Sequence, residues 1–243
     1  MTPLRILTFN IHSGRSMFGE RDIVRIHDLL ETLSVDIAVL QEMDTRPRKG
    51  GMPDDVAKLA GEARPYRFAA PTMTEGVGWY GNLIVSRYPI LRSSIHSLEK
   101  ETDHIEPRNA ADVLIETPLG KLRILGTHLS LPASERKIEV PMLIKLVKHV
   151  EEEEKNPVFL MGDINEWRKS SRLLKFLGEN MIEVKAGATF PAILPLLHLD
   201  RVWHDAAHVK AKARVVKEHG VKQMSDHLPV LIEVERLRAV MSS

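Results

Sequence analysis

Nine polar residues in the sequence are of types that bind metal ions or transfer protons, and they stand at the C-terminal ends of short apolar runs. They are Asn10, Glu42, Asn82, His128, Asp163, Asn165, Asp200, Asp226 and His227. A hard divalent cation prefers a few carboxylate and amide oxygens together with water. Hydrolysis also needs a base whose pKa lies near neutrality. Because the set supplies both kinds of group, it predicts a metal-assisted hydrolytic site.

Each of these residues also fits a plain structural role. Asparagine and aspartate often follow strands because their side chains start turns, so any one of them alone more often belongs to a turn than to a site. The repetition of the pattern along the chain favours a shared site. Asp163 and Asn165 are two residues apart, so they would point the same way if the strand continued through them.

The apolar runs themselves predict the strands that position these residues. Leu4–Asn10 and Asp36–Gln41 are such runs, and the stretch between them has apolar residues at helical spacing from Ile23 to Leu33. Further strands are predicted at Asn82–Ser86, Ala111–Ile115, Leu122–His128, Val158–Asp163, Leu199–Trp203 and Leu228–Val234, and further helices near Asp54–Ala63, Ser134–Glu154 and Arg168–Leu177. Many strands and few helices favour a two-layered sheet core flanked by helices.

The composition is that of a globular protein and excludes several classes of function. The chain has 243 residues, of which 43% are hydrophobic and 28% charged, so we expect one large domain over residues 1–243. A formal net charge of +1 gives no global field that would attract nucleic acid. The chain has no cysteine, which excludes disulfides, thiolate nucleophiles and cysteine-ligated metals. Any metal site must therefore use oxygen and imidazole ligands.

The location of the protein is predicted from the absence of membrane and export signals in its sequence. No run approaches the roughly 18 consecutive apolar residues that a membrane helix needs. The first ten residues resemble a strand and not a signal peptide. We therefore expect a cytoplasmic protein, and we expect it to be a monomer.

Six motifs occur in an order that resembles a known family. They are TFNIHSG around Asn10, LQEMD around Glu42, YGNLIVSRYPI around Asn82, GTHLS around His128, LMGDINEW around Asp163, and MSDHLPV near the C-terminus. The series is similar to that of the endonuclease/exonuclease/phosphatase superfamily, which includes the pancreatic DNase, abasic-site endonucleases, inositol-polyphosphate phosphatases and neutral sphingomyelinases. The segment TFPAILPLLHLDRVW resembles small bacterial members. The resemblance implies a DNase I-like α/β fold, an α+β sandwich in four layers with two packed, mainly antiparallel sheets flanked by helices.

The resemblance implies a divalent-metal site and a histidine beside it. Glu42 would be the principal ligand of Mg²⁺ or Mn²⁺, with oxygens of Asn10 and Asp226 beside it. His227 would be the general base or the electrostatic partner of the phosphate. Asp200 would fix the tautomer of His227 and raise its proton affinity.

Further residues are assigned to the phosphate and the attacking water. Asp163 and Asn165 would orient the water and the developing oxyanion. His128, with Asn82 beside it, would contact the scissile phosphate and protonate the leaving oxygen. Arg108 resembles a phosphate-facing arginine, although Asn109 stands where the family often has glycine.

The substrate is not given by these motifs, because the shared site cleaves P–O bonds in many molecules. In the segment Val209–Lys217, three cations alternate with small apolar residues, which would place them on one face of a strand. These three residues, Lys210, Lys212 and Arg214, form the basic stripe. Such a stripe suits a nucleic-acid backbone, and it equally suits the solvated face of an edge strand.

The sequence therefore leaves three functions open. A nuclease acting on DNA or RNA is preferred, because the family is rich in nucleases and the basic stripe is available. The alternative is a sphingomyelinase-like phosphodiesterase or phosphatase acting on phospholipid headgroups or small phosphate esters, with peripheral lipid contact. An inactive binding module is the third, against which the intact set of site residues argues.

Overall fold

A computed structural model describes residues 2–16, 19–99, 106–153, 156–168, 170–205 and 209–236. Within these ranges the chain forms twelve strands and four α-helices. The strands are β1 (Leu4–Asn10), β2 (Ile37–Asp44), β3 (Tyr66–Glu75), β4 (Gly78–Ser86), β5 (Ile90–Ser97), β6 (Asn109–Thr117), β7 (Gly120–His128), β8 (Val158–Asp163), β9 (Ile182–Glu183), β10 (Asp200–His204), β11 (Lys210–Val215) and β12 (Val230–Arg236). The helices are α1 (Ile23–Thr32), α2 (Asp55–Ala60), α3 (Ala133–Glu153) and α4 (Arg172–Asn180).

The strands form two six-stranded sheets. The first has the order β11-β12-β1-β2-β4-β3 and the second the order β5-β6-β7-β8-β10-β9. Neighbouring strands are antiparallel except for one parallel pair in each sheet, β1 with β2 and β7 with β8. The predicted pair of mainly antiparallel sheets is confirmed.

The core occupies three layers of apolar side chains. Because side chains alternate along a strand, Ile6 and Phe159 face the space between the two sheets, whereas their neighbours face outward. Leu7 of the first sheet packs in one cluster with Ile26 of α1. Leu160 of the second sheet packs with Leu143 of α3. The arrangement of helix, sheet, sheet and helix is the predicted four-layer fold.

The prediction that all nine polar residues end strands is wrong for five of them. Glu42 lies within β2 and Asn82 within β4, Asp200 is the first residue of β10, and Asp226 and His227 precede β12. For Asp200, Asp226 and His227 the reason is the antiparallel pairing, which places the start of one strand beside the end of its neighbour. Residues at the starts of some strands and at the ends of others therefore meet at the same edge of the sheets. Strands β3, β5 and β9 were not predicted from the sequence.

The helices of the described ranges do not have the dimensions of membrane spans. None of them is both long enough and apolar enough to cross a bilayer.

Candidate active site

Strand register brings three predicted residues into one row. His128 and Asp163 are opposite each other at the ends of the parallel strands β7 and β8. Asp200, at the start of the antiparallel strand β10, is opposite Asp163 from the other side. The three side chains are buried. The row lies at the edge of the second sheet that faces the end of β1.

Asn10 connects this row to the first sheet. Its amide Nδ2 donates to Glu42 Oε1 (2.9 Å) and to Asp163 Oδ2 (3.0 Å), which belong to different sheets. Its Oδ1 accepts from the backbone N–H of His12 at 3.1 Å. One buried amide thus joins the predicted metal-binding carboxylate of Glu42 to the carboxylate of Asp163, which is predicted to orient the attacking water.

Glu42 is aimed into the site by a β-bulge. The register of β2 against β4 shifts between Leu40 and Met43, and Glu42 has a φ of 58°, in the left-handed region that non-glycine residues rarely adopt. Bulges of this kind redirect a side chain and are common beside active sites. The pKa of Glu42 is raised, mainly by burial and in part by the nearby charge of Asp226. The hydrogen bond from Asn10 and the charge of His12 act in the opposite direction but do not outweigh burial.

These oxygens fit a divalent cation. Within the described residues, Glu42 and Asp226 have no lysine or arginine partner. Their nearby basic groups are histidines, with His12 Nδ1 lying 3.5 Å from Asp226 Oδ1. The Asn10 oxygen accepts one hydrogen bond and keeps a second lone pair. The charge of these two carboxylates is therefore not balanced by a lysine or arginine. Together with the amide oxygen they form a donor set suited to Mg²⁺ or Mn²⁺.

His227 and Asp200 form a buried pair beside these oxygens. His227 Nδ1 lies 2.8 Å from Asp200 Oδ2, which leaves Nε2 facing Asp163 Oδ2 at 3.6 Å. Burial alone would lower the pKa of His227, but the carboxylates of Asp200 and Asp163 raise it to about 10. The geometry is the one predicted, with a carboxylate that fixes the orientation of the imidazole. The ring of Phe190 packs against His227 with centroids 4.9 Å apart.

Asp163, Asp200 and His227 also have ligand-type atoms that all lie within 4.8 Å of one another. Burial and the charge of Asp200 raise the pKa of Asp163. The imidazolium of His227 already balances carboxylate charge in this cluster. Mg²⁺ and Mn²⁺ favour oxygen ligands over imidazole, so the oxygens around Glu42 suit the cation better.

Asn165 reaches the site by a different route from the one expected. The strand does not continue, since β8 ends at Asp163 and Asn165 has a left-handed φ of 53°. Its backbone N–H donates to Asp163 Oδ1 at 3.0 Å, and its Nδ2 donates to Leu129 O at 2.8 Å. The same Nδ2 lies 3.2 Å from His128 Nε2. The two residues meet as predicted, but through a turn.

His128 is neutral near pH 7 in this environment. Burial lowers its pKa well below the usual value, and the charges of Arg108 and His227 lower it further. A neutral imidazole is suited to a hydrogen bond with a phosphate oxygen. The predicted delivery of a proton by His128 stays a prediction.

Comparison with known proteins agrees with this arrangement. The model of the Endonuclease/Exonuclease/phosphatase family matches residues 7–227. The chain belongs to this family. It is 31% identical to the Escherichia coli (strain K12) protein YbhP over 253 residues, covering 95% of each chain.

Solved structures show the same fold. An endonuclease/exonuclease/phosphatase from Beutenbergia cavernae superposes with a TM-score of 0.81 at 19% identity, over 100% of this chain and 74% of that one. The mannosyl-6-phosphatase Bt3783 of Bacteroides thetaiotaomicron gives a TM-score of 0.76 at 14% identity, over 95% of this chain and 99% of that one.

Arg108 contacts His128 of the site, and Asn82 contacts Asn109, the next residue along the chain from Arg108. Asn82 Nδ2 donates to Asn109 Oδ1 at 3.0 Å, and Asn109 in turn donates to the Pro71 carbonyl at 2.9 Å. The departure from glycine at Asn109 thus supplies a partner for Asn82. Arg108 Nη1 lies 3.5 Å from His128 Nδ1 and donates to Glu106 Oε1 at 2.7 Å.

The basic stripe lies away from the candidate active site. Its three cations share one exposed face of β11, as the alternation predicted. β11 is the edge strand of the first sheet, and the register through β12 places its Lys210 end beside the start of β1, away from Asn10. The two lysines pair with Glu235 and the arginine pairs with Glu218. These are the features of a solvated edge.

Sequence reasoning missed several polar residues that support the site. Arg136 and Glu139 of α3 and Glu166 are buried under the loops that follow β7 and β8. Glu166 is inside the LMGDINEW motif and was visible there. Helical spacing places Arg136 and Glu139 on one face of α3, but the sequence does not indicate what that face contacts. Tyr80 was missed as well, and burial together with the charges of Glu42 and Glu106 raises the pKa of its hydroxyl.

Proposed function

We propose that this protein is a Mg²⁺- or Mn²⁺-dependent phosphodiester hydrolase. The observation that carries the proposal is the position of the His227–Asp200 pair, 2.8 Å apart, next to the Glu42 carboxylate and joined to it through Asn10 and Asp163. Membership of a family named for nucleases and phosphatases supports the same reaction type. The substrate class is a separate question.

The protein groups divide the chemistry between them. Glu42, Asp226 and the Asn10 oxygen would hold the cation, which when bound neutralises phosphate charge and acidifies water. Protonated His227 stabilises the charge that develops on the phosphoryl oxygens, and Asp200 holds its ring in place. Asp163, whose pKa is raised, is placed to accept the proton of the attacking water. Asn165 Nδ2 and neutral His128 orient the remaining oxygens.

Two substrate classes are open to such an enzyme. The sequence favours nucleic acid because the family is rich in nucleases and because the basic stripe is available. The cations of that stripe each have a carboxylate partner and lie at a sheet edge. A phospholipid or other ester with an apolar part is favoured by apolar side chains around the site. The phosphatase among the structural neighbours is consistent with substrates other than nucleic acid.

The reaction type is tested at Glu42. We expect Glu42→Gln to lose most hydrolysis of bis(p-nitrophenyl) phosphate and to weaken Mg²⁺ or Mn²⁺ binding in calorimetry, because it deletes charge from a donor set with few carboxylates. Glu179→Gln, on the exposed face of α4, is the matched control and should behave as the parent. Unchanged cation affinity in a folded Glu42→Gln protein would remove Glu42 from the metal site.

A further inference from the structure

An apolar hairpin tip stands at the mouth of the active site. Phe190 and Leu197 are bridged as antiparallel partners by N–H···O bonds of 3.1 and 2.8 Å. Between them lies the uncharged tip Ile193-Leu194-Pro195-Leu196. The side chains of Ile193, Leu194 and Leu196 are 52%, 63% and 68% exposed. A hydrogen-bonded segment therefore holds three large apolar side chains in solvent.

The hairpin is attached directly to the catalytic groups. The N–H of Ala192 donates to the Asp226 carbonyl at 2.7 Å. The N–H of Asp200 donates to Thr189 Oγ1 at 3.3 Å, and Phe190 packs on His227. The tip consequently has a fixed position beside the His227–Asp200 pair.

The loops that follow His128 and Asn165 also carry exposed apolar side chains. Leu131, 68% exposed, lies three residues after His128, and Trp167, 40% exposed, lies two residues after Asn165. Together with the three tip residues they form the apolar rim: Leu131, Trp167, Ile193, Leu194 and Leu196. Exposed apolar patches of this kind on a folded protein mark interaction surfaces.

Cations lie beside the apolar rim. A cavity of about 740 Å³ extends from Trp167 and Asp200 and is lined in part by Lys175 and Lys185. Lys185 has no carboxylate partner among the described residues, and Lys175 has only the exposed Glu179 at 3.8 Å. The guanidinium of Arg168 lies 5.7 Å from the Trp167 ring. Apolar side chains next to basic ones are complementary to the interface of a membrane with anionic lipids.

We infer that the apolar rim docks on an anionic phospholipid surface and that the substrate is a phospholipid phosphate ester drawn from it. The inference rests on the proposed function and specifies its substrate class. The rim comes from three loops around the entrance to the site, so a protein bound there would block the entrance. A bilayer in the same place presents headgroup phosphates to it. A nucleic-acid backbone has no apolar surface to cover the tip.

The test separates surface binding from hydrolysis. The full-length protein is mixed with vesicles of phosphatidylcholine containing phosphatidylglycerol, or of phosphatidylcholine alone, and sedimented. We expect stronger binding to the anionic vesicles and at least a tenfold weaker partition for the double variant Leu194→Ser/Leu196→Ser. The double variant Val24→Ser/Ile95→Ser removes exposed apolar side chains from α1 and β5 and should bind as the parent. Circular dichroism checks the fold of all variants.

Activity provides the second readout. The ratio of phospholipid hydrolysis to bis(p-nitrophenyl) phosphate hydrolysis should fall at least tenfold in the tip variant and stay unchanged in the Val24/Ile95 variant. Absence of vesicle binding by the parent, or equal binding by the tip variant, would overturn the inference and leave the rim to a protein partner. Hydrolysis of the soluble diester without any phospholipid hydrolysis would overturn the substrate class. Vesicle binding without hydrolysis of either ester would instead contradict the proposed function.

Discussion

Arg136 should be required for both the stability and the activity of the protein, because it joins the two loops that carry His128 and Asn165. Its Nη1 donates to the carbonyl of Ser130 at 2.7 Å and to that of Leu131, and its Nη2 lies 3.4 Å from Glu166 Oε2. The side chains of Arg136 and Glu166 are only 2% and 4% exposed. Removing one partner of such a buried pair leaves an uncompensated charge and costs about 3–5 kcal/mol.

Urea denaturation of a double-mutant cycle measures this cost. We expect Arg136→Met to lower the free energy of unfolding by about 3–5 kcal/mol. The double variant with Glu166→Gln should lose less than the sum of the single variants, by about 1–3 kcal/mol. Arg136→Lys keeps the charge but not the forked donors, so we expect an intermediate loss. Arg48→Met, which breaks an exposed arginine pair with Glu75, is the matched control and should cost about 0–1 kcal/mol.

Catalysis provides a readout that a purely structural role would not change. Displacement of the loops moves His128 and Asn165 away from the phosphoryl oxygens, so kcat for the soluble diester should fall more than KM rises in folded Arg136→Lys protein. Additive effects in the stability cycle, together with an unchanged kcat, would refute the reasoning and reduce Arg136 to an ordinary buried side chain.

Three further predictions concern the His227–Asp200 pair, the pH dependence of stability and the basic stripe. Because His227 and Asp200 act as one unit, His227→Ala and Asp200→Ala should each reduce kcat by orders of magnitude, and the double variant should be little worse; full additivity would separate their roles. Burial raises the pKa of Asp112, but the hydrogen bonds from Arg123 and His96 outweigh burial and lower it. The stabilisation that the Asp112 carboxylate gives to the folded protein is thus present above about pH 4 and lost as the pH falls below it. In urea denaturation, the difference in free energy of unfolding between the parent and Asp112→Asn should therefore shrink as the pH is lowered through about 4. A difference that stays constant with pH would contradict this prediction. If the basic stripe tracks nucleic acid, changing all three cations to glutamine should flatten the salt dependence of binding by roughly 0.7 to 0.9 for each phosphate that is no longer neutralised; its carboxylate partners lead us to expect no change.

The residues of the site could be predicted from the sequence because the chemistry restricts their types. Glu42, Asp163 and His227 stand in short motifs beside apolar runs, and those runs predicted most of the strands. The motif order then supplied the family and, with it, the two packed sheets. Strand β5 was missed because most of its residues face solvent, which removes the continuous apolar run that marks a buried strand.

The sequence could not give the contacts that join distant segments. Whether the two lysines of the basic stripe are free depends on Glu235 of the neighbouring strand, and this pairing is set by sheet order and register. The apolar run Asp36–Gln41 predicts a strand that stops before Glu42. In the structure the strand continues to Asp44, and the bulge that aims Glu42 arises from its pairing with β4. Interactions of this kind exist only once the sheets are assembled.

The division of the site between two sheets explains why a single amide holds a central place. The proposed cation ligand Glu42 belongs to the first sheet and the acceptor Asp163 to the second, and Asn10 donates to both through one nitrogen. Two carboxylates on opposing sheets would repel each other without such a donor. The neutral Asn10 amide therefore holds the two carboxylates at a fixed separation without adding a charge of its own. The cation and the proton-transfer groups can then be supplied by separate layers of the fold and still act on one phosphate.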